Sequence, residues 1–263
     1  MTDRVLTEQR GPVLVITNNN PSARNALSFE YSNGAVEEIE KAGSDPTVAA
    51  IVLTGAEGFF CAGGDLNVLI KRREMDVPDR IAAINVLHGL IRAIRACPKP
   101  VIAAVEGGAA GAGASIALAC DLLVAAEDAY FAVSYLRVGL TPDGGSTAFL
   151  SEALPRQLVN EIIMFGNKVE ASRLYNLGVV NRLVGRHEAL ETALELGERL
   201  NKVGPEVLAE TKTLIQSTAS NSLSEQLDAE AIAMAEAQER QESLEGISAF
   251  LEKRKPDFTK FRG

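Results

Sequence analysis

The 263-residue chain has no tryptophan, only three cysteines and only two histidines. Each scarcity closes off a class of protein. Cys61, Cys97 and Cys120 show no paired spacing, which argues against a disulfide framework and against a Cys-x-x-Cys metal motif. With His88 and His187 as the only histidines, a zinc site lacks a ligand set, and no metal is expected. Positive charge is also short: 26 Lys and Arg stand against 35 Asp and Glu, a formal net charge of −9. A nucleic-acid binder needs a basic footprint, so no nucleic acid is expected as a partner. No apolar run approaches the roughly 20 residues of a bilayer span, and no basic segment followed by an apolar one opens the chain. The expectation is a cytoplasmic protein in a reducing compartment, with no membrane partner. Its hydrophobic content of 46% and charged content of 23% are those of an ordinary globular chain long enough to bury a full core.

What the chain has is glycine next to buried strands. After Pro100 the β-capable run Val101-Ile102-Ala103-Ala104-Val105 leads into a loop holding Gly107, Gly108, Gly111 and Gly113, and then into the small, apolar helix candidate 114–120. Strand, glycine-alanine turn and buried helix together present free backbone N–H groups at a helix N-terminus, where negative charge is favoured. Small residues also permit tight helix–strand packing with no ligand at all, and both readings stand at this level. A second stretch has the same form. The uniform apolar run 49–54 ends at Gly55, and Ala62-Gly63-Gly64-Asp65 follows before another helix start. Two backbone donors converging on one oxygen make an oxyanion hole, the usual dominant electrostatic device in acyl and enolate chemistry.

The remaining pattern is alternating. A strand is read at 13–17, ended by Asn18-Asn19-Asn20-Pro21, and Ser28 is the cap of a helix closed by Gly43. Residues 71–80 read as polar and mobile, and 81–95 carry a helical period. Short strands are read at 122–126 and 129–133. Later come helices at 154–165, 171–176, 188–203, 205–217 and 224–241, with one strand at 179–184. Repeated strand, glycine turn and helix favour an α/β architecture of stacked coils of sheet. A Rossmann domain is excluded, because no G-x-G-x-x-G with a following acidic residue succeeds the first strand. Gly204-Pro205 marks the boundary between a core of residues 1–203 and a helical region of residues 204–263, whose Leu223, Leu227, Ile232 and Met234 call for a partner surface.

Asp143, in Leu140-Thr141-Pro142-Asp143-Gly144-Gly145, has two readings from spacing: helix cap, or a carboxylate that moves protons. His88 reads as a packed helix residue, Cys61 as core, Asp65 as a cap, and Lys71-Arg72-Arg73 as a solvated face.

Taken together the motifs resemble the crotonase superfamily, the enoyl-CoA hydratase/isomerase family, over essentially the full length. They are Arg24-Asn25-Ala26-Leu27-Ser28, the stretch from Phe60 to Leu66, the stretch from Pro98 to Val105, Gly111-Ala112-Gly113 with Leu118-Ala119-Cys120-Asp121, the stretch from Gly139 to Gly145, and that from Gly246 to Arg254. The resemblance implies a crotonase-like spiral of ββα units with a C-terminal helical region used for trimerisation, as a homotrimer or a dimer of trimers. It implies an acyl-CoA thioester substrate and no permanently bound cofactor, coenzyme A entering as part of the substrate. The thioester oxygen would be held by the N–H groups of Gly64 and Ala112, with Arg24, Ala26, Ala62 and Asp65 lining the coenzyme A site. Leu66, Ser115, Tyr135 and Phe149 would wall the acyl pocket.

Hydratases of this family use two glutamates to position and activate water. Here those positions fall on Ser115 and Tyr135, and neither side chain is a carboxylate. Asp143 instead matches the acid/base aspartate of the branch resembling the isomerase of bacterial phenylacetate degradation. The expected activity is therefore the shift of a double bond in an enoyl-CoA, with Asp143 as the one acid/base. The alternatives are a hydratase or ring hydrolase in which Asp143 activates water, and a catalytically inactive acyl-CoA-binding protein. The family's aromatic dehalogenases place a tryptophan near the nucleophile, and this chain has none.

Overall fold

The computed structural model describes residues 3–262. Its strands in chain order are β1 (Val5–Arg10), β2 (Val13–Asn18), β3 (Ala50–Gly55), β4 (Val101–Val105), β5 (Gly108–Ala110), β6 (Leu122–Ala126), β7 (Tyr130–Ala132), β8 (Val169–Glu170) and β9 (Arg182–Val184). The helices are α1 (Phe29–Ser44), α2 (Leu66–Lys71), α3 (Val77–Ala96), α4 (Ala112–Ala119), α5 (Ser146–Ala153), α6 (Arg156–Phe165), α7 (Ala171–Asn176), α8 (Ala189–Leu200), α9 (Pro205–Ser217), α10 (Leu223–Glu239) and α11 (Gln241–Leu251).

The larger sheet has the order β1-β2-β3-β4-β6-β9, and the smaller one β5-β7-β8. β1 and β2 form an antiparallel hairpin, and the remaining pairs of the larger sheet are parallel. Parallel strands are covered on both faces, which is why β3 and β4 read as continuous apolar runs rather than alternating ones. β1 is the polar edge, with Thr7, Glu8 and Gln9 exposed. The chain lays β4 on the large sheet, β5 on the small one, then α4; β6 and β7 repeat the pattern. This is the expected spiral of strand pairs and helices.

Both faces of the large sheet are filled. α8 covers one with Ala189, Ala193 and Leu194 on Val13, Val15, Ala50, Val52, Ile102 and Val124. The other meets α1, α3 and α4 through Ile16, Ile39, Ile51, Leu53, Leu90, Ile94 and Ile116. α1 starts where expected, Ser28 Oγ accepting from the Tyr31 N–H. α4 is buried along its length except at Leu118, as its composition demands.

Several expectations need correction. The helix read from 81 begins at Val77, because the Asp76 carboxylate caps it through the Asp79 N–H and Pro78 fits its first turn. Residues 71–80 are therefore built into α2, a 3-10 turn at Arg72–Glu74 and the start of α3. The helix read at 154–165 begins only at Arg156, because Leu154 is the extended C-cap of α5, a helix not read from the sequence, and Pro155 is the N-cap of α6. The strand 179–184 shortens to β9, because the N–H groups of Val179 and Val180 turn back to the Leu174 carbonyl. The helix 188–203 ends at Leu200. The last helical run breaks at Arg240, whose extended backbone separates α10 from the unexpected α11. β5, read as loop, is a strand of glycine and alanine formed by pairing with β7.

α9 follows Gly204 as expected and is pinned to the sheet by Lys212. Its ammonium donates to the Ile94 and Lys99 carbonyls and to Asp121 Oδ2 at 2.7 Å. α10 and α11 expose Leu223, Leu227, Ile232, Met234, Leu244, Ile247, Phe250 and Leu251. No helix among the described residues is long and apolar enough to cross a membrane.

Candidate active site

Three glycine-rich segments meet at the N-terminus of α4. The first runs from Cys61 to Asp65. The Ala62 N–H donates to the Arg24 carbonyl (3.0 Å) and the Leu27 N–H to the Gly63 carbonyl (2.8 Å), binding it to residues 24–27. On its other side the Cys61 N–H reaches the Gly108 carbonyl and the Ala110 N–H reaches the Cys61 carbonyl. Asn25, quoted in the sequence only as part of a motif, locks this arrangement. It is fully buried at φ +55, its amide donates to the Ala56 and Phe59 carbonyls, and its Oδ1 accepts from the Asn20 N–H.

The second segment is the turn into α4, with Gly111 at φ +51. The two turns touch. At Gly63, φ is +90, and a Cβ there would lie 2.6 Å from the Ala110 carbonyl oxygen and 3.4 Å from the Ala112 nitrogen. Only glycine permits both the left-handed conformation and the approach. A Cβ on Gly113 would lie 2.5 Å from the Cys61 carbonyl oxygen, so the beginning of α4 rests directly on the first segment. Neither the Gly64 nor the Ala112 N–H has a hydrogen-bond acceptor among the described residues. Two unengaged amide donors, on turns in contact and backed by a helix N-terminus, can stabilise an oxyanion.

The third segment is the 3-10 turn Tyr135–Val138 and the loop to α5. Asp143 does not cap α5; Gly145 holds that position at φ +83. The carboxylate instead receives the Tyr135 hydroxyl on Oδ1 at 2.6 Å. The Asp143 carbonyl accepts from Ser115 Oγ at 2.9 Å and from Ser146 Oγ at 3.3 Å. A Cβ on Gly144 would lie 2.7 Å from the Ser115 Cβ, so the loop packs directly on α4. Tyr135 ties this loop to the second turn, its ring carbon Cζ lying 3.8 Å from where a Gly111 Cβ would be. Burial, and then the neighbouring Asp143 charge, push the Tyr135 phenol far above its ordinary range, so it remains a proton donor.

His88 is packed as expected, against the loop that carries Asp143: its Nε2 accepts from the Gly144 N–H at 3.4 Å. Cys61 is core, its thiol pushed up to about 12 by burial against the opposing Gly63 N–H. Asp65 caps α2 through the Asn67 N–H at 2.8 Å. Arg24 is exposed with its guanidinium 5.9 Å from the Phe59 ring centroid, and Ala26 is buried beneath it in sequence. Leu66 is 55% exposed beside Gly64. Phe149 packs on Gly145 and lies 5.7 Å, centroid to guanidinium carbon, from Arg95. Gly64, Ala112, Ser115, Tyr135 and Asp143 thus form one cluster, with Arg24, Ala26, Ala62 and Asp65 along the outer turn. Sequence pattern alone gave no signal for the Tyr135–Asp143 bond, which spans a 3-10 turn. Among the described residues no group of three or more His, Cys, Asp or Glu is placed to hold a metal.

This fold is shared with known proteins. The family model for enoyl-CoA hydratase/isomerase matches residues 8–261. The crystal structure of an enoyl-CoA hydratase from Polaromonas sp. JS666 superposes with a TM-score of 0.94 at 43% identity, covering 96% of this chain and 98% of that one. The 2,3-dehydroadipyl-CoA hydratase of Escherichia coli K12 is 34% identical over 259 residues, 98% of this chain and 99% of that protein. The 1,2-epoxyphenylacetyl-CoA isomerase of the same organism is 33% identical over 260 residues, with the same coverage. The chain belongs to the enoyl-CoA hydratase/isomerase family, with the crotonase fold, and is an acyl-CoA-processing enzyme.

Proposed function

We propose that the protein isomerises an enoyl-CoA thioester by moving its double bond, with Asp143 as the single acid/base. The observation that carries this reading is the carboxylate of Asp143, bonded to Tyr135, whose ring lies against Gly111 of the second glycine turn. The thioester oxygen sits between the N–H groups of Gly64 and Ala112. Asp143 takes a proton from the α carbon of a 3-enoyl-CoA; the freed C–H pair forms a double bond to the carbonyl carbon and the carbonyl π pair moves onto the thioester oxygen, where the two amides stabilise the dienolate. The same carboxylic acid returns a proton to the γ carbon, leaving the 2-enoyl-CoA. One carboxylate suffices, because the group that takes the α proton is the group that protonates the γ carbon, exchanging with solvent between the two transfers.

In this reading Arg24, Ala26, Ala62 and Asp65 border the coenzyme A moiety, and Leu66, Ser115, Tyr135 and Phe149 the acyl group. Residues 204–263 form the trimerisation region beside a core of residues 1–203. The exposed apolar residues of α10 and α11 support that assembly, as a trimer or a dimer of trimers; the compartment in this reading is the cytoplasm. A second reading, hydration with Asp143 activating water, is favoured by relatives that are themselves named hydratases.

Incubation with a 3-enoyl-CoA and, separately, a 2-enoyl-CoA in heavy water, followed by mass spectrometry, separates the two. Deuterium at the α or γ carbon with no net water gained is the expected result. Addition of a whole water to the 2-enoyl substrate establishes hydration instead. Equal binding of saturated and unsaturated thioesters with no turnover would identify an inactive acyl-CoA-binding protein.

A further inference from the structure

The two positions that carry glutamates in hydratases of the resembling family are Ser115 and Tyr135, and both side chains converge on a single residue. Ser115 Oγ, fully buried on α4, donates to the Asp143 main-chain carbonyl at 2.9 Å. The Tyr135 hydroxyl donates to Asp143 Oδ1 at 2.6 Å. We propose that Tyr135 and Ser115 are positioning residues for Asp143: the serine fixes its backbone, and the tyrosine occupies Oδ1 so that Oδ2 is the oxygen that exchanges protons with the acyl chain. This rests on the reading of Asp143 as the acid/base.

The geometry favours such a division. Asp143 lies between Pro142 and two glycines at positive φ, Gly144 (+62) and Gly145 (+83), a loop with no helical or strand ladder to hold it. Its fixed points are side-chain bonds. Ser115 and Ser146 hold the Asp143 carbonyl, His88 Nε2 holds the Gly144 N–H, and Tyr135 holds the carboxylate. Oδ2 accepts no hydrogen bond among the described residues, while Oδ1 is taken. The two positions that would deliver water in a two-glutamate site are thereby converted into supports for one carboxylate. A base held by one oxygen keeps a single bearing toward a flat enoyl chain, which proton transfer at two carbons requires.

The groups facing Asp143 that can titrate are Tyr135 on the 3-10 turn and His88 on α3; α4 and α5 contribute the hydroxyls of Ser115 and Ser146. The test is Tyr135→Phe, which keeps the ring and removes the hydroxyl, beside Ser115→Ala and Asp143→Asn, each checked for folding by thermal unfolding. Tyr135→Phe should lower kcat roughly tenfold to a hundredfold, the loss expected for a hydrogen bond to a charged acceptor, with KM changed less than about twofold. The acid limb of its pH–rate profile should move to higher pH, because the carboxylate anion has lost a donor. Recording that profile in a His88→Gln background keeps histidine titration out of it. Ser115→Ala should lower kcat without moving the limb, since its bond is to a carbonyl and not to the carboxylate. If Tyr135→Phe folds and retains both kcat and the limb while Asp143→Asn is inactive, Tyr135 merely packs and the inference is overturned. Full turnover by Asp143→Asn instead removes the premise, and the assignment of the base with it.

Discussion

Two aspartates stand behind glycine turns at the start of helices, and the fold treats them differently. Asp65 directly precedes α2 and adopts the extended conformation of a cap, its Oδ1 accepting the Asn67 N–H. Asp143 is separated from α5 by Gly144 and Gly145, whose left-handed backbones put a glycine at the cap and turn the carboxylate to Tyr135. Two buried glutamates follow Asp65. Glu106 accepts from the His187 and Ala189 N–H groups at the start of α8, and Glu242 from those of Glu206 and Val207 at the start of α9. Each of these carboxylates satisfies amides that a helix start leaves unpaired. Asp143 carries no such duty. In the proposed reaction, the carboxylate that glycines displace from a cap is the one that exchanges protons.

The largest expected effect follows from that contrast. Asp143→Asn is isosteric and disturbs no helix end, so the unfolding free energy should change by no more than about 0.5 kcal/mol. Isomerase turnover should fall roughly 10²- to 10⁴-fold, the range of a lost general acid/base. Steady-state rates together with thermal unfolding check both halves, and a large stability loss would put Asp143 among the caps.

Next comes the contact between the turns. Gly63→Ala places a methyl 2.6 Å from the Ala110 carbonyl oxygen at φ +90. Strain of about 1–3 kcal/mol is expected, with turnover down by up to roughly a hundredfold as the two donors part. Gly89 is the control. It lies within α3, where a Cβ would meet nothing within 4 Å, so Gly89→Ala should stabilise by about 0.5–1 kcal/mol. Denaturant titration of both variants decides the matter; equal effects would mean that the approach of the turns is not tight.

The contrast also marks what the sequence discloses. The buried strands β3 and β4, the small helix α4 and the Ser28 cap are local signals, and each is where the residues put it. The two glycine turns were recognisable because a turn after a buried strand has a local signature. That they touch was not, since it depends on the pairing of Cys61 with Ala109 across the small sheet. Spacing does not decide whether Asp143 caps α5, for the same reason. Gly145 takes the cap, and the contacts that hold Asp143 come from Tyr135, eight residues away on a turn without periodicity, and Ser115, 28 residues away on α4. Glu106 and Glu242 went unnoticed because each caps a helix 83 and 36 residues distant at most. α11 was missed because the break at Arg240 carries neither glycine nor proline; the guanidinium there reaches Glu206, Glu210 and Glu236.

Asp65 offers a smaller and opposite outcome. Asp65→Ala should cost about 1 kcal/mol of stability, the usual loss of a cap, while Asp65→Asn should recover most of it because the amide oxygen caps as well. Any effect on turnover should fall on KM, since the proposed reading puts Asp65 beside the coenzyme A moiety and not at the reacting carbons. A fall in kcat comparable to that of Asp143→Asn would erase the distinction between the two aspartates.

The mildest test uses acid rather than mutation and reads a carboxylate of the structural kind far from the site. Glu245 on α11 receives Arg254, Lys260 and the Asp257 N–H, and these bonds, Arg254 first, hold its carboxyl well below the ordinary value of 4.5. The folded value lies below the unfolded one, so its contribution is complete above about pH 4.5 and is lost as the pH falls toward the folded value. Acidification should therefore loosen residues 254–261 locally, seen as a lower amide-exchange protection factor, relative to the intrinsic rate at each pH, at Asp257, whose N–H donates to Glu245 Oε1 at 2.9 Å. Glu245→Gln should bring that lower protection to neutral pH and flatten its pH dependence. A protection factor at Asp257 that stays unchanged down to about pH 3 in the unmodified protein would show that the tail is held by packing of Phe258 and Phe261, whose rings lie 6.5 Å apart, and not by this carboxylate.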